Sequence, residues 1–320
     1  MGRCLICGKE LHASEMQYHQ TCSRHLFQSP QSPLLGYSWD DLNTLAKTHV
    51  LQRISVPGMQ PKLSLHLEHT SKTNGRFTIV GLKGDYILKP PSHQYALMPE
   101  WEHFCLLFAK MCKIPTIQQG LILLASGERA FITRRMDRTE KGCLHMEDFC
   151  QLTNKQTEQK YQGSMEQIGK TLLRFSSFPG LDAVRFFELT LFCFLTGNSD
   201  MHLKNFSLLR NETHDLQLAP AYDLLPVRMI LPKDSEEMAL TLNGKKSNLT
   251  LKDFRIFAQT IHLSPVQVEN TIRQMVKRSQ KQLTLALEQS FLPENEKTRF
   301  QQLFHERIER LAPPSSMNDR

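Results

Sequence analysis

The stretch Leu195-Thr-Gly-Asn-Ser-Asp-Met-His-Leu-Lys-Asn-Phe-Ser-Leu-Leu209 decides how this chain of 320 residues is read. It follows a strongly apolar helical segment over 186–196 and places Asp200 and Asn205 five positions apart. A short loop with that spacing lets two side chains converge on one phosphoryl group. The Asp accepts the proton of an attacking hydroxyl, and the Asn turns back to hold a metal on the phosphate side. A second carboxylate, Asp223, stands in Leu218-Ala-Pro-Ala-Tyr-Asp-Leu-Leu225. Strands at 206–209 and 216–219 around Asn211-Glu-Thr-His would form a hairpin that carries Asp223 back toward Asn205. Mg²⁺ takes hard oxygen ligands and few carboxylates, which Asn205 and Asp223 satisfy.

Outward from this loop, the upstream half supplies the other parts of a phosphotransferase. Asp85-Tyr-Ile-Leu-Lys-Pro90 is a strand ending on Lys89. Protein kinases use such a Lys on the ATP phosphates and pair it with a Glu of the next helix, here Glu102. Ile54-Ser-Val-Pro-Gly-Met-Gln-Pro-Lys62 precedes a strand and could cover phosphates with backbone N–H groups. Each feature has an ordinary alternative as a solvated loop, a surface Lys or a turn. Their order raises the phosphotransferase reading: glycine-containing loop, strand Lys, helix Glu, Asp-x4-Asn, Asp. A metal-dependent hydrolase is the competing reading of Asp200, His202 and Asp223, but no second His/Asp cluster completes its metal set. His202 reads as positioning the loop or packing within it. Lys204 reads as contacting the γ-phosphate or pointing to solvent. His145, Glu147 and Asp148 either shape a substrate segment or begin a helix, where acidic residues are favoured.

The fold class expected is α+β. Alternating Leu63, Leu65 and Leu67 mark a half-buried strand, with further strands at 77–80, 86–89, 121–125 and 130–133. Helices are expected at 37–52, 99–112, 164–176, 182–196, 250–260, 264–289 and 294–311, with a linker at 28–36. A small β-rich lobe thus precedes a larger helical one. The divisions are 1–28, a Cys/His head; 29–135, the small lobe; 136–312, the helical lobe; and 313–320, a tail. The head carries Cys4-Leu-Ile-Cys7, His19 and Cys22, a C-x2-C-x11-H-x2-C spacing suited to tetrahedral Zn²⁺, with His12 and His25 as alternative ligands. Redox or unliganded thiols are the other reading. So short a segment has too little core to fold alone, so a metal staple makes sense. Nucleic-acid binding by this finger is a further possibility.

Composition excludes some classes and leaves others open. Hydrophobic residues make up 40% and charged residues 22%, ordinary for a soluble globular protein. No apolar run reaches membrane-spanning length, and the N-terminus has neither signal-peptide shape nor a myristoylation pattern. A cytoplasmic protein is expected, with export into another cell left open. The net charge of +7 suits anionic partners without choosing among them.

Seven motifs then appear in sequence: 55–62, 87–90, 101–105, 133–138, 145–151, 197–206 and 219–223. Across 50–312 the chain resembles the HipA-like serine/threonine kinases, toxin components of bacterial type II toxin–antitoxin systems. The resemblance implies a two-lobed, protein-kinase-like fold behind a zinc-knuckle-like segment. It implies an ATP- and Mg²⁺-dependent kinase with Asp200 as base, Asn205 and Asp223 as Mg²⁺ ligands and Lys89 on the ATP phosphates. It makes 55–62 a flexible loop that includes Ser55, Val56, Gly58, Gln60 and Lys62, with Ser55 autophosphorylated to switch the kinase off. It makes Thr133, Arg134 and Arg135 the hinge that meets adenine through its backbone. Family substrates include aminoacyl-tRNA synthetases, and a DNA-binding antitoxin is the usual partner, so DNA contact would be indirect. The phosphate loop comes early in this chain. That implies a short, HipT-like form lacking the family's N-terminal subdomain, which a separate small protein could supply. The alternative from a different class is a pseudokinase whose finger and basic surface recruit a partner or nucleic acid.

Overall fold

A computed structural model describes residues 2–51, 61–68, 75–81 and 83–312. Ser55, Val56, Gly58 and Gln60 lie outside the described residues. The chain divides into two compact units. One comprises 1–107, 117–138 and 287–292, and the other 108–116, 139–286 and 293–320.

The first unit is built on a five-stranded antiparallel sheet. Its strands are β1 (Leu63–Glu68), β2 (Arg76–Val80), β3 (Tyr86–Lys89), β4 (Gln119–Leu123) and β5 (Arg129–Arg134), in the order β2-β1-β3-β5-β4. The alternation expected in β1 is real: Leu63, Leu65 and Leu67 are buried, while His66 and Glu68 are exposed. β3 pairs with β5 so that Lys89 lies opposite Phe131 and Ile87 opposite Thr133. Helix α1 (Gln20–Phe27) belongs to the head, and α2 (Trp39–Leu51) precedes the sheet. Helix α3 (Met98–Met111) follows β3, and its residues up to Leu107 belong to this unit. The expected linker is partly structured. Leu34 makes a bridge to Arg76 and accepts from the Phe77 N–H at 3.0 Å, which shields one end of β2.

The second unit is mainly helical: α4 (Phe149–Leu152), α5 (Met165–Phe175), α6 (Pro179–Thr196), α7 (Leu251–Thr260), α8 (Pro265–Gln289) and α9 (Glu294–Leu311). Its core is aromatic, with Phe108 packed edge-on to Phe304 and tilted against Phe192. α6 positions the loop that opened the sequence reading. Pro179 stands in its first turn, where a missing N–H costs nothing. Gly197 ends it at φ 68°, and a Cβ there would come within 2.8 Å of Leu303. At the other end Asp182, fully buried, accepts from Ser176 Oγ and from the Leu218 N–H, both at 2.7 Å. Leu218 lies on β8 (Leu216–Leu218), which pairs with β7 (Ser207–Arg210). One helix thus anchors both ends of the segment from Gly197 to the hairpin. The hairpin gains a third strand, β6 (Met146–Asp148), paired with β7, where sequence had suggested either a helix start or a substrate segment.

Candidate active site and metal site

In the first unit, Lys89 and Glu102 meet as expected. Lys89 Nζ donates to both carboxylate oxygens, at 2.6 and 2.8 Å. The two side chains are only 6% and 1% exposed, and the ammonium also lies 5.4 Å from the Phe131 ring centroid. Charges this deep persist only when paired, because leaving water costs each several kcal/mol. Thr133 and Arg134 lie on β5. Thr133 Oγ1 donates to the Gln118 carbonyl at 2.8 Å. The Arg135 N–H donates to the Asp85 carbonyl at 2.8 Å, and its guanidinium grips Asp137 at 2.7 and 2.9 Å. Burial works against ionising Asp137, but the Arg135 hydrogen bond prevails and holds that carboxyl below its usual range. Lys62 stands immediately before β1.

In the second unit, residues 198–205 form a tight loop. Asn198 Oδ1 accepts from the Asp200 N–H at 3.2 Å. The Asp200 carbonyl accepts from the His202 N–H at 2.8 Å and from Asn205 Nδ2 at 2.9 Å. With Nδ2 directed there, Asn205 Oδ1 is the atom that could serve a hard cation. Tyr222 donates from its hydroxyl to the Lys204 carbonyl at 2.8 Å, tying the residue before Asp223 to the residue before Asn205. Burial pushes that phenol well above its usual pKa. Asp223 itself has φ 57°, a left-handed conformation that Asp tolerates better than bulkier residues. Lys204 Nζ reaches Asp148 Oδ2 at 2.6 Å, and Asp148 also caps α4 by accepting from the Gln151 N–H at 3.0 Å. Of the two roles weighed for Asp148, the structure displays the helix start.

Sequence reasoning missed Tyr161. Its hydroxyl donates to Asp200 Oδ1 at 2.6 Å, and its ring meets His202 edge-on at 5.1 Å. The residue is 43% exposed, so it covers the carboxylate from the solvent side. Burial, then the Asp200 hydrogen bond, pushes its phenol well up. No local signal marks Tyr161, because it stands 39 residues from its partner. Asp182 was discernible as an acid near the start of an apolar helix, but its hairpin contact was not.

The head brings together Cys4, Cys7, His19 and Cys22, with all ligand atoms within 4.8 Å of one another. Cys7 Sγ lies 3.3 Å and Cys22 Sγ 3.8 Å from His19 Nδ1. His19 Nε2 lies 2.9 Å from the Glu10 carbonyl, which fixes the tautomer that leaves Nδ1 unprotonated toward the sulfurs. Hydrogen bonds from Cys22 and Cys7 push the Cys4 thiol far below its usual range, and sharing with Cys4 pushes Cys22 far above it. Three thiols this close cannot all ionise unless a cation sits among them. His12 groups separately with Glu15 and His19, all partly or fully exposed, while His25 is exposed on α1 and joins neither group.

No helix among the described residues is long and apolar enough to cross a membrane. Residues 54–283 match the family model of the HipA-like C-terminal domain. A Sinorhizobium fredii protein named "Putative kinase Y4dM" is 32% identical over 241 residues, 71% of this chain and 58% of that protein. The chain therefore spans little more than half of that relative. A Haemophilus influenzae protein named "Putative kinase" is 26% identical over 313 residues, 88% of this chain and 87% of that protein. Among solved structures, Shewanella oneidensis HipA, determined with HipB and operator DNA, superposes with a TM-score of 0.65 at 20% identity. That match covers 83% of this chain and 70% of that one. The Helicobacter pylori proinflammatory kinase CtkA gives 0.55 at 15% identity, over 77% and 93%. These likenesses support a kinase-like α+β fold. With the family model spanning most of its length, the chain belongs to the HipA-like C-terminal domain family.

Proposed function

We propose that the chain is an ATP- and Mg²⁺-dependent serine/threonine protein kinase of the HipA type. The observation that carries this reading is the buried Lys89–Glu102 pair, a strand lysine held by a helix glutamate at 2.6 Å. Bound ATP and Mg²⁺ would supply the phosphoryl group and neutralise its charge. The chain's own residues do the rest. Lys89, oriented by Glu102, meets the phosphates. Asn205 Oδ1 and the Asp223 carboxylate are the hard donors for the cation. Asp200 takes the proton of the acceptor hydroxyl. His202 holds the Asp200 carbonyl through its N–H, and Lys204 braces the loop on Asp148.

Thr133, Arg134 and Arg135 would carry adenine on their backbone. Ser55, Val56, Gly58, Gln60 and Lys62 would cover the phosphates. Phosphate on Ser55, with about −1.5 to −2 charges, would clash with ATP and switch the enzyme off. Cys4, Cys7, His19 and Cys22 would hold Zn²⁺, for which three sulfurs and one imidazole nitrogen are the fitting donor set. We further propose a cytoplasmic location, an antitoxin partner of the kind seen with the Shewanella protein, and a protein substrate such as an aminoacyl-tRNA synthetase. A separate small protein, N-subdomain-like in character, is a further proposed partner. The division at 28, 135 and 312 is likewise part of this proposal.

Incubating the full chain with Mg²⁺-ATP and mapping phosphate by mass spectrometry tests the reading. Phosphorylated Ser55 is expected in the wild type and none in Asp200→Asn. An unmodified wild type, with both proteins behaving identically in growth assays, overturns it.

A further inference from the structure

Phosphoryl transfer makes no direct use of the Cys/His head. Two of its contacts nevertheless reach Tyr86 and His103, near neighbours of Lys89 and Glu102. The geometry points to a metal staple: the cation held by Cys4, Cys7, His19 and Cys22 fixes the scaffold of Lys89 and Glu102, so nucleotide affinity is conditional on the metal. The nucleotide half of this inference rests on the kinase reading above. The staple half rests on the head's contacts alone.

The donor set favours a thiophilic ion. A tetrahedron with Zn–S of about 2.3 Å and Zn–N of about 2.0–2.1 Å has edges of roughly 3.6–3.8 Å. The sulfur-to-nitrogen separations of 3.3 and 3.8 Å lie close to that. The His19 N–H also donates to Cys4 Sγ at 3.4 Å, a contact that suits a thiolate. Soft sulfur donors select zinc over magnesium.

The head is wired into the rest of the first unit at several points. Leu5 and Tyr18 satisfy both backbone groups of Leu121 on the edge strand β4. The Leu121 N–H donates to the Leu5 carbonyl at 2.7 Å, and Tyr18 donates from its hydroxyl to the Leu121 carbonyl at 2.9 Å. Neighbouring Gly120 is what permits the approach, since a Cβ there would lie 2.7 Å from the Ile6 side chain. Gly8 lies against the Gln289 carbonyl so closely that no Cβ fits between them. Arg3 and Arg129 stack on Phe291, at 4.7 and 5.1 Å from its centroid, and Arg129 also reaches Glu100 on α3.

The remaining two contacts flank the functional pair. His103, next to Glu102 and fully buried, directs Nε2 to the Ile6 carbonyl at 3.0 Å. Its Nδ1 has no hydrogen-bond partner among the described residues, so the Ile6 carbonyl is the hydrogen bond that holds the ring, which also meets Phe291 edge-on at 5.7 Å. Ile6 lies between Cys4 and Cys7, so its carbonyl direction is set by the knuckle. Tyr86, three residues before Lys89 on β3, donates to the Leu26 carbonyl at 3.0 Å, four residues beyond Cys22 on α1. Losing the metal frees both carbonyls. Strand and helix then each lose a brace beside a functional residue.

The test uses the full chain. Native mass spectrometry should show one Zn²⁺ per chain. Co²⁺ replacement should give sulfur-to-cobalt charge-transfer absorption. Chelation, or Cys7→Ser, should raise hydrogen exchange in β4 and in residues 98–107 by about tenfold or more. It should weaken binding of a non-hydrolysable ATP analogue by a similar factor, and Zn²⁺ should restore the chelated protein where Mg²⁺ does not. His103→Leu keeps the metal ligands. It should bind Zn²⁺ at full stoichiometry yet lose analogue affinity severalfold. Exchange unchanged by metal removal, or no bound zinc, overturns the staple. Wild-type affinity in zinc-loaded His103→Leu overturns the link through Ile6. A zinc-loaded wild type that is well protected but does not bind the analogue sinks the kinase reading and leaves the staple standing.

Discussion

Two lysine–carboxylate pairs, each 2.6 Å long, belong to the two halves of the proposed machinery, and they are different objects. Lys89–Glu102 is dry, at 6% and 1% exposure. Lys204–Asp148 is partly wet, at 28% and 14%. A dry pair is obligatory, because removing one partner strands a charge in a low-dielectric interior. A wet pair can hand its charges to water and contributes mainly orientation. The lysine that would meet phosphate is therefore locked by burial. The loop over 198–205 is held instead by many modest hydrogen bonds, from Asn198, Asn205, Tyr161 and Tyr222.

Breaking the dry pair should have the largest effect. Lys89→Ala or Glu102→Ala should each cost about 3–5 kcal/mol in chemical denaturation. The double variant Lys89→Met with Glu102→Leu should regain most of that stability while still failing to bind nucleotide. A double variant as unstable as the singles would show that the pair stabilises by more than mutual neutralisation.

The same dry region makes the chain acid-sensitive. Burial pushes the His103 imidazole down to about 4, with the Ile6 carbonyl opposing. Its native pKa lies below the unfolded value near 6.5, so the unfolded state binds more protons between the two. Its contribution is full above about pH 6.5 and is lost as the pH falls toward 4, about 3 kcal/mol in all. Thiolate protonation would also release the proposed metal over acidic pH, so the measurement is a difference. The pH slope of stability should be shallower in His103→Leu than in the wild type, and equal slopes would remove His103 from the account.

Breaking the wet pair should cost less. Asp148→Ala loses the α4 cap and the Lys204 contact, together about 1–2 kcal/mol. Lys204→Met should cost under about 1 kcal/mol. In both, the phosphotransfer rate should fall by more than the stability loss explains. Smallest in stability is Tyr161→Phe, within about 1 kcal/mol, since the residue is 43% exposed. Its rate should still drop severalfold, because Asp200 Oδ1 loses the donor that orients it. An unchanged rate would leave Tyr161 as a cover and nothing more.

What could be read in advance follows the range of the interactions. α7, α8 and α9 fall within a residue of the expected 250–260, 264–289 and 294–311, because a 3.6-residue period and a Pro at each of two starts are local signals. β1 was legible from alternating leucines. β6 was not, because Met-Glu-Asp is too short to alternate and exists only by pairing with β7. Leu34 looked like linker because its partner, Arg76, lies far along the chain. Lys89 with Glu102, and the Cys4, Cys7, His19 and Cys22 cluster, could be named in advance because their chemistry leaves few choices of residue type. Tyr161 on Asp200 and Ile6 on His103 could not, because a tyrosine or a carbonyl is chemically unexceptional until the fold gives it a neighbour.

The sequence by itself determined the inventory: an Asp-x4-Asn loop after an apolar helix, a strand lysine, a helix glutamate, a late aspartate, and a thiol-rich head. It could do so because each item is a local pattern with a specific chemical demand. Only the tertiary structure decided that the lysine is buried, that Asp223 takes a left-handed backbone, and that the Cys/His head braces β4 and α3. Those facts depend on contacts between residues up to about a hundred positions apart, as between Tyr18 and Leu121, whose pairing is selected by packing and by the cost of leaving a buried polar group unmatched.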